Sequence, residues 1–519
     1  MNAGSWNEVT DFISPKNAKK LILYDTTLRD GAQTHGLKFS LDDKLSISGK
    51  LSDFGFDYIE AGWPSSNPRD KKYFENVKGM GLKAKSAVFG MTSPSPGKDK
   101  KIDDLLKTEA DVITVFGKSW DLHVKDVLRM SPDKNLRMVS DTIEYLKSHD
   151  FRVFFDAEHF FDGYKANPDY ALKVLDAAKS AEALVLCDTN GGSMPWEIEK
   201  ISCAVSKAVS SEIGVHMHND TGMAVMNTLS AMRNSAFHVQ GTMNGLGERC
   251  GNMDWCEFLP LTGIKLGMKL DIDMKKLFSL SRYIVRMTGF SLAKNKPFIG
   301  ANAFSHKGGV HIDAMLKNSR AYEHMNPDDV GNSRLFSLSE QSGRSGIVDA
   351  AGRHGYSLGK NDPLIIEMME VMNRGEVTTD AELFLMLSEK INRKKDAFSL
   401  VSYETAVSSK GVAKTEVKVS VGNDTFHEIA EGVGPVHSLD VALRKALSKK
   451  FSVDNLKLTN YRVRIINQDK ATAAIVEVFI EFRAGDKSWS TSGASDDIIK
   501  ASRDALIKGY NYYLLKNGG

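Results

Sequence analysis

From Leu21 onward, short apolar runs rich in Val, Ile and Phe alternate with longer segments of helical period. The short runs read as strands and the periodic segments as amphipathic helices. The predicted strands are Leu21 to Asp25, Asp57 to Ala61, Ala84 to Phe89, Asp111 to Phe116, Arg152 to Asp156, Ala183 to Cys187, Ile213 to His218 and His238 to Met243. Between them lie helical stretches such as Leu41 to Phe54, Pro168 to Ser180, Pro195 to Ser210 and Gly222 to Ser235. Eight strand-then-helix repeats over about 250 residues fit a closed parallel (β/α)8 barrel, an α/β fold, better than an open doubly wound sheet. In such a barrel the reactive groups follow the C-terminal ends of the strands.

Past about Lys265 the alternation stops, and a polar, helical stretch with several glycines runs to about Lys395. From about Ala397 alternating strands return, at Thr415 to Val421, Tyr461 to Ile466 and Ala473 to Phe482. This last part repeats itself. Gly434 to Lys449 and Gly493 to Lys508 end in similar helical sequences, each after a strand-rich stretch, which predicts a pseudo-symmetric α+β domain with a groove suited to a small ligand. The expected organisation is a barrel over 18–290, helical linker subdomains over 291–395 and a C-terminal regulatory domain over 396–519.

A chain of 519 residues exceeds one core, in keeping with about three units. No uninterrupted apolar run approaches 18 residues, and Met1 to Lys20 lacks a long apolar core and carries Glu8 and Asp11, so neither a membrane span nor a signal or transit peptide is expected. A cytoplasmic location follows. Net charge is only +2, which leaves no basic field for a nucleic-acid backbone. Cys187, Cys203, Cys250 and Cys256 form no CxxC pair and read as reduced thiols; Cys250 is taken as a packing residue rather than a nucleophile.

The candidate chemistry sits at strand ends. In Val215-His216-Met217-His218-Asn219-Asp220 two histidines at spacing two point to the same side of strand seven, either as ligands to one cation or as an ordinary pair. Asp30, after strand one, can face them across the mouth, because strand one neighbours strand eight and strand seven lies one place further. Such a mixed carboxylate and imidazole set suits Mg, Mn, Zn or Co without choosing between them. Arg29 is placed either to receive a carboxylate or oxyanion or to serve in a structural ion pair. The glycines of Asn244-Gly245-Leu246-Gly247-Glu248-Arg249-Cys250-Gly251-Asn252 do not match a dinucleotide fingerprint, and Asn252 can add an amide oxygen to the cation.

Asp25-Thr26-Thr27-Leu28-Arg29-Asp30-Gly31-Ala32-Gln33, His216-Met217-His218-Asn219-Asp220 and Gly247-Glu248-Arg249-Cys250-Gly251-Asn252 together resemble the alpha-isopropylmalate, homocitrate and citramalate synthase family. The resemblance covers nearly the whole chain. It is strongest to the long citramalate synthases, since isopropylmalate synthases usually carry Glu in place of Ala32 and Phe in place of the Trp63 of Glu60-Ala61-Gly62-Trp63-Pro64.

The resemblance implies Asp30, His216 and His218 as metal ligands with Asn252 nearby, Arg29 and Gln33 as groups that orient a 2-oxo acid, and Thr189 as the binder of its carboxylate. It also implies Glu158 as the conserved acid, and His311 and Tyr322 as linker-borne catalytic residues that reach the barrel of a partner subunit, hence a homodimer. The implied reaction joins acetyl-CoA to pyruvate, with thioester hydrolysis, and isoleucine would be the effector of the C-terminal domain. Trp63 is either a wall that limits substrate size or a rim packing residue. The competing expectations are an isopropylmalate or homocitrate synthase, an acyl-CoA lyase, a carboxyltransferase, for which no catalytic lysine is placed, and a catalytically inert amino-acid sensor.

Overall fold

The computed structural model describes residues 20–234, 236–306, 309–336, 343–374, 377, 379–392, 396–408, 411–466, 474–485 and 487–517. The reading of residues 1–19, and the expected positions of Ser235, Lys395 and Ala473, lie outside these. The chain divides into two compact units, one running to Phe304 and taking back Asn326–Ser333, the other comprising Ser305–Met325 and Arg334–Gly519.

In the first unit eight parallel strands close in the order β1 to β8: β1 (Ile22–Asp25), β2 (Tyr58–Glu60), β3 (Lys85–Met91), β4 (Val112–Lys118), β5 (Arg152–Glu158), β6 (Ala183–Asp188), β7 (Glu212–Met217) and β8 (Ala236–Gly241). Closure is made by β1, which pairs with β2 through Tyr24 and Tyr58 and with β8 through Leu23 and Val239. The helices of this unit are α1 (Leu41–Phe54), α2 (Pro68–Val77), α3 (Lys100–Leu106), α4 (Pro132–Lys147), α5 (Phe160–Ala166), α6 (Pro168–Ala177), α7 (Pro195–Ala208), α8 (Ala224–Met232), α9 (Trp255–Pro260) and α10 (Leu277–Thr288). Their starts are written in the sequence. Ser40 accepts from Asp43 N while Asp43 accepts from Ser40 N, and Ser131, Asn67 and Asn167 cap α4, α2 and α6 with proline at the first turn of each.

The barrel interior is layered. Tyr24, Tyr58, Ala87, Val112, Phe154 and Ala183 form an apolar layer, with His238 between Tyr24 and Phe154 at ring separations of 5.2 and 4.8 Å. Burial pushes His238 down to about 3, so it is a neutral ring at neutral pH. Above this layer the inward residues turn polar, starting where Tyr24 OH donates to Glu60 Oε2 at 2.8 Å.

The strand order matches the expectation, while β3, β4 and β5 each run two residues past the expected end and β7 and β8 stop short. β8 stops at Gly241 rather than Met243, because residues 252–255 fold back over it: Thr242 N donates to Met253 O and Trp255 N to Thr242 O. Met243–Gly245 instead forms a short 3-10 turn with Asn244 at φ 62°. β7 likewise ends at Met217, and His218 lies just beyond it in an isolated antiparallel bridge with Asn252.

The second unit begins with a short parallel pair, β9 (Ser305–His306) and β10 (Leu335–Phe336), and the helix α11 (Gly309–Lys317). The helices α12 (Arg344–Arg353), α13 (Pro363–Asn373) and α14 (Asp380–Asn392) share a core built on Ile347, Ile365, Met368 and Leu387. Two β-β-β-α repeats follow: β11 (Ser399–Val407), β12 (Ala413–Val421), β13 (Asp424–Gly432) and α15 (Pro435–Leu447), then β14 (Leu456–Ile465), β15 (Val476–Ala484), β16 (Lys487–Ser495) and α16 (Ile498–Lys516). Each sheet is antiparallel, and the helices and inner sheet faces meet in one core that includes Val417, Val419, Leu443, Ile480 and Tyr510. The duplicated α+β domain expected from the sequence is therefore present. Among the described residues no helix is long and apolar enough to cross a membrane.

Candidate metal centre and active-site cleft

Asp25 turns the chain out of β1, its carboxylate accepting from Thr27 N at 3.0 Å and Thr27 Oγ1 at 2.8 Å. Asp30 N then donates to Thr26 O at 2.9 Å, which sets Asp30 at the head of the 3-10 turn Gly31–Gln33. From β7, His216 brings Nε2 to 3.0 Å from Asp30 Oδ2 and to 3.4 Å from His218 Nε2; His218 Nε2 lies 4.0 Å from the same carboxylate oxygen. All three side chains are buried, and their ligand atoms lie within 4.8 Å of one another.

This donor set fits a divalent cation. Two imidazole nitrogens and a carboxylate oxygen converge in a space shielded from water, where apposed nitrogens have no way to satisfy each other without a proton or a metal between them. Burial works against charge on Asp30, yet Arg29 and the hydrogen bond with His216 hold its carboxyl well below the usual range. Burial and then the neighbouring His216 push His218 down to about 4, so it offers a neutral ring. Asn252 Nδ2 lies 2.7 Å from Asp30 Oδ2, and its Oδ1 is buried without a partner; turning the amide over would bring that oxygen to the cluster.

The loop carrying Asn252 depends on glycine. Gly251 has φ 87°, and a Cβ there would run into Gly245 O; a Cβ on Gly247 would strike Asn252 Oδ1. Arg249 ties the same loop down with a fork on Asp220 at 2.8 and 2.9 Å and a bond to Thr189 O at 2.8 Å.

The cluster floors a cleft of about 180 Å³ also lined by Arg29, Gln33, Trp63, Glu158, Thr189 and Arg249. Arg29 donates from Nε to Glu60 Oε1 at 2.6 Å, has Nη1 3.6 Å from Asp30, and lays its guanidinium 3.8 Å over the Phe89 ring. It is thus ion-paired and cleft-lining at once. Trp63 stands edge-on to Phe89 and Phe116, each at 5.7 Å, while Phe89 and Phe116 stack at 5.3 Å, so Trp63 both packs the rim and forms one side of an apolar wall. Glu158 is ion-paired with Lys118. Thr189 Oγ1 accepts from His159 N at 2.9 Å and keeps its own proton to donate.

His311 and Tyr322 lie in the second unit, on α11 and after a 3-10 turn, where both are exposed and their rings stack at 4.2 Å. Cys250 is exposed on the glycine loop, and all four cysteines are free. The sequence reading passed over Asp156, Gln240, Lys118, Phe89 and Phe116 as site residues. A signal existed for two of them, since Asp156 and Gln240 are polar residues inside predicted buried strands, where such groups occur only with partners.

The HMGL-like family profile matches residues 20–284, the homocitrate synthase post-HMGL domain-like profile residues 298–372, and the LeuA allosteric (dimerisation) domain profile residues 377–514. The chain is 42% identical to the (R)-citramalate synthase of Aquifex aeolicus over 96% of its own length and 99% of that protein. This chain belongs to the alpha-isopropylmalate, homocitrate and citramalate synthase family. Within the family it is also 44% identical to the (R)-citramalate synthase of Sulfolobus acidocaldarius, covering 96% of this chain and 97% of that one. Identity to the 2-isopropylmalate synthase of Methanocaldococcus jannaschii is 30%, over 96% and 95%. As a member of this synthase family the chain is an enzyme of the acyltransferase type.

Proposed function

We propose that this enzyme is an (R)-citramalate synthase, which joins the methyl carbon of acetyl-CoA to the ketone of pyruvate and hydrolyses the thioester to give citramalate and CoA. The observation that carries this reading is the pairing of a buried Asp30–His216–His218 cluster with a rigid Trp63–Phe89–Phe116 wall over the same small cleft. Similarity to the (R)-citramalate synthases of Aquifex aeolicus and Sulfolobus acidocaldarius supports the choice of pyruvate.

Asp30, His216 and His218, with the Asn252 amide oxygen, would hold a divalent cation, Mg, Mn, Zn or Co. When bound, such an ion makes a ketone oxygen more electron-withdrawing and neutralises alkoxide charge. Arg29 and Gln33 orient the 2-oxo acid, and Thr189 donates its hydroxyl proton to the carboxylate. Glu158 removes a methyl proton from acetyl-CoA, a very weak carbon acid, and the His311–Tyr322 pair of a partner subunit in a homodimer completes the proton transfers. The new carbon–carbon bond forms as the methyl carbon attacks the ketone, and water then replaces CoA at the thioester.

Size selection follows from the wall. A single methylene in an apolar pocket is worth about 1–3 kcal/mol, so rejection of the branched 2-oxoisovalerate needs a clash, which three mutually braced aromatic rings supply because none can turn aside alone. The two β-β-β-α repeats are read as the seat of feedback by isoleucine. A cytoplasmic site of action goes with acetyl-CoA and four free thiols.

The test is release of CoA thiol from acetyl-CoA with pyruvate, 2-oxoisovalerate, 2-oxobutyrate or 2-oxoglutarate, with and without chelator. Pyruvate should be the preferred acid and chelator should stop the reaction. A preference for 2-oxoisovalerate would transfer the chain to the isopropylmalate synthases, and thiol release with none of the four would discard the synthase reading. Cleavage of citramalyl-CoA without synthesis would make it a lyase.

A further inference from the structure

We infer that Asp156 is a positioning residue that fixes the tautomer of the metal ligand His216 through Gln240. This rests on the reading of Asp30, His216 and His218 as a metal site.

The three side chains form a line across the barrel. Gln240 Nε2 lies 3.0 Å from Asp156 Oδ1, and Gln240 Oε1 lies 2.8 Å from His216 Nδ1. All three are buried, Asp156 at 4% and Gln240 at 1% exposure, so bulk water does not substitute for a missing partner. A carboxylate oxygen only accepts, which obliges the Gln240 amide to turn its NH2 toward Asp156 and its carbonyl toward His216. The carbonyl in turn requires the hydrogen of His216 on Nδ1. In the neutral ring that leaves the lone pair on Nε2, so a cation between Asp30 and His218 would take the place of the proton through which His216 otherwise bonds Asp30.

Without Asp156 the line loses its direction. A free Gln240 amide can turn over, present NH2 to Nδ1 and so favour the tautomer with its proton on Nε2, the atom a metal needs. His218 provides the contrast, for its Nδ1 is buried with no hydrogen-bond partner, and the ring lacks an equivalent brace. Asp156 belongs to the cleft lining as well, yet neither proton transfer nor substrate binding in the proposed reaction calls on it. Its placement beside Glu60 and Arg29, and the burial that lifts it to about 7, mark it as a carboxyl retained at a cost in the buried run Val153 to Ala157 of its strand. An Oδ1 that accepts while any proton sits on Oδ2 preserves the geometry in either charge state.

Outer partners of metal-bound histidines typically matter by 10- to 100-fold in affinity. The full chain, stripped of metal, is titrated with Mn2+ alone and free ion is counted by electron paramagnetic resonance. His216→Ala should abolish binding; Gln240→Met, equal in length, and Asp156→Leu should each weaken it by about 10- to 100-fold. The double variant should lose no more than Gln240→Met alone, because both act through one bond. Asp156→Asn, whose amide oxygen still accepts from Gln240, should retain wild-type affinity. In the Zn2+-loaded chain a hydrogen-bonded Nδ1–H proton resonance of His216 should be present in wild type and in Asp156→Asn, and lost in Gln240→Met. If Asp156→Leu, or Asp156→Ala should the leucine variant not fold, binds Mn2+ like wild type, Asp156 has no part in the relay; the Gln240→Met arm and this resonance test the Gln240–His216 bond. If His216→Ala abolishes binding while Gln240→Met leaves it unchanged, or if the two losses multiply in the double variant, the relay is wrong and the metal site stands. If His216→Ala binds like wild type, the metal-site reading itself fails.

Discussion

Glu60 is the most exacting place to test the polar layer of the barrel. It is wholly buried and divides its two oxygens between Arg29 Nε at 2.6 Å and Tyr24 OH at 2.8 Å. Glu60→Ala removes the counter-charge of a buried guanidinium, a change that costs about 3–5 kcal/mol when nothing replaces it. Arg29 keeps Asp30 at 3.6 Å, and Tyr24 keeps Thr114 at 2.6 Å, so the lower end of that range, about 3 kcal/mol, is expected. Glu60→Gln keeps one oxygen to accept from Arg29 and turns its NH2 to the Tyr24 oxygen, whose own proton can go to Thr114, so the loss is mainly the charge assistance and should cost less, roughly 1.5 kcal/mol. Guanidinium unfolding followed by tryptophan fluorescence reads both, and pyruvate KM should rise in Glu60→Gln because a neutral amide holds Arg29 over Phe89 less firmly than the carboxylate does. The reasoning is refuted if Glu60→Ala costs under about 1 kcal/mol, or if the Gln variant is as unstable as the Ala variant.

Other consequences are open to direct measurement. His238 titrates near 3 in the fold against an ordinary 6.5, so the unfolded chain binds a proton that the folded chain refuses, and stability is lost as pH falls below about 6.5. Between pH 6.5 and 5 its share amounts to about 2 kcal/mol, and His238→Leu should flatten the unfolding midpoint over that interval relative to wild type. Gly251→Ala has no room beside Gly245 O and should displace the Asn252 loop, weakening Mn2+ binding at least tenfold while the far-ultraviolet dichroism of the chain is kept. Glu158→Gln should lower kcat by about 10²- to 10⁴-fold with pyruvate KM little changed, measured by thiol release. Phe116→Ala, by opening the braced wall, should raise kcat/KM for 2-oxobutyrate relative to pyruvate in the same assay.

The barrel was legible because each strand is a short, largely buried run and segments of helical period such as Leu41 to Phe54 and Pro168 to Ser180 separate them. The pairing of Asp30 with His216 and His218 followed from topology, since closure of β1 on β8 brings the first and seventh strand ends together. The end of β8 was misplaced because hydrophobicity alone does not reveal that the chain returns over it at Met253 and Trp255. The aromatic wall escaped for a similar reason. Phe89 and Phe116 occupy strand positions that read equally well as core, and only the inward turn at the strand ends assigns them to the cleft. The partners that hold the site, Glu60 for Arg29 and Gln240 for His216, are separated from their charges by 31 and 24 residues and come together only through strand register.

The central claim is that a divalent ion sits between Asp30, His216 and His218 and faces the ketone of a small 2-oxo acid. Crystals grown with Mn2+ and pyruvate and measured at the manganese absorption edge test it most directly. A single anomalous peak within about 2.0–2.3 Å of Asp30 Oδ2, His216 Nε2 and His218 Nε2, with pyruvate beside Arg29, is the expected result. A peak elsewhere in the barrel, or none while the chain still condenses pyruvate, would contradict it.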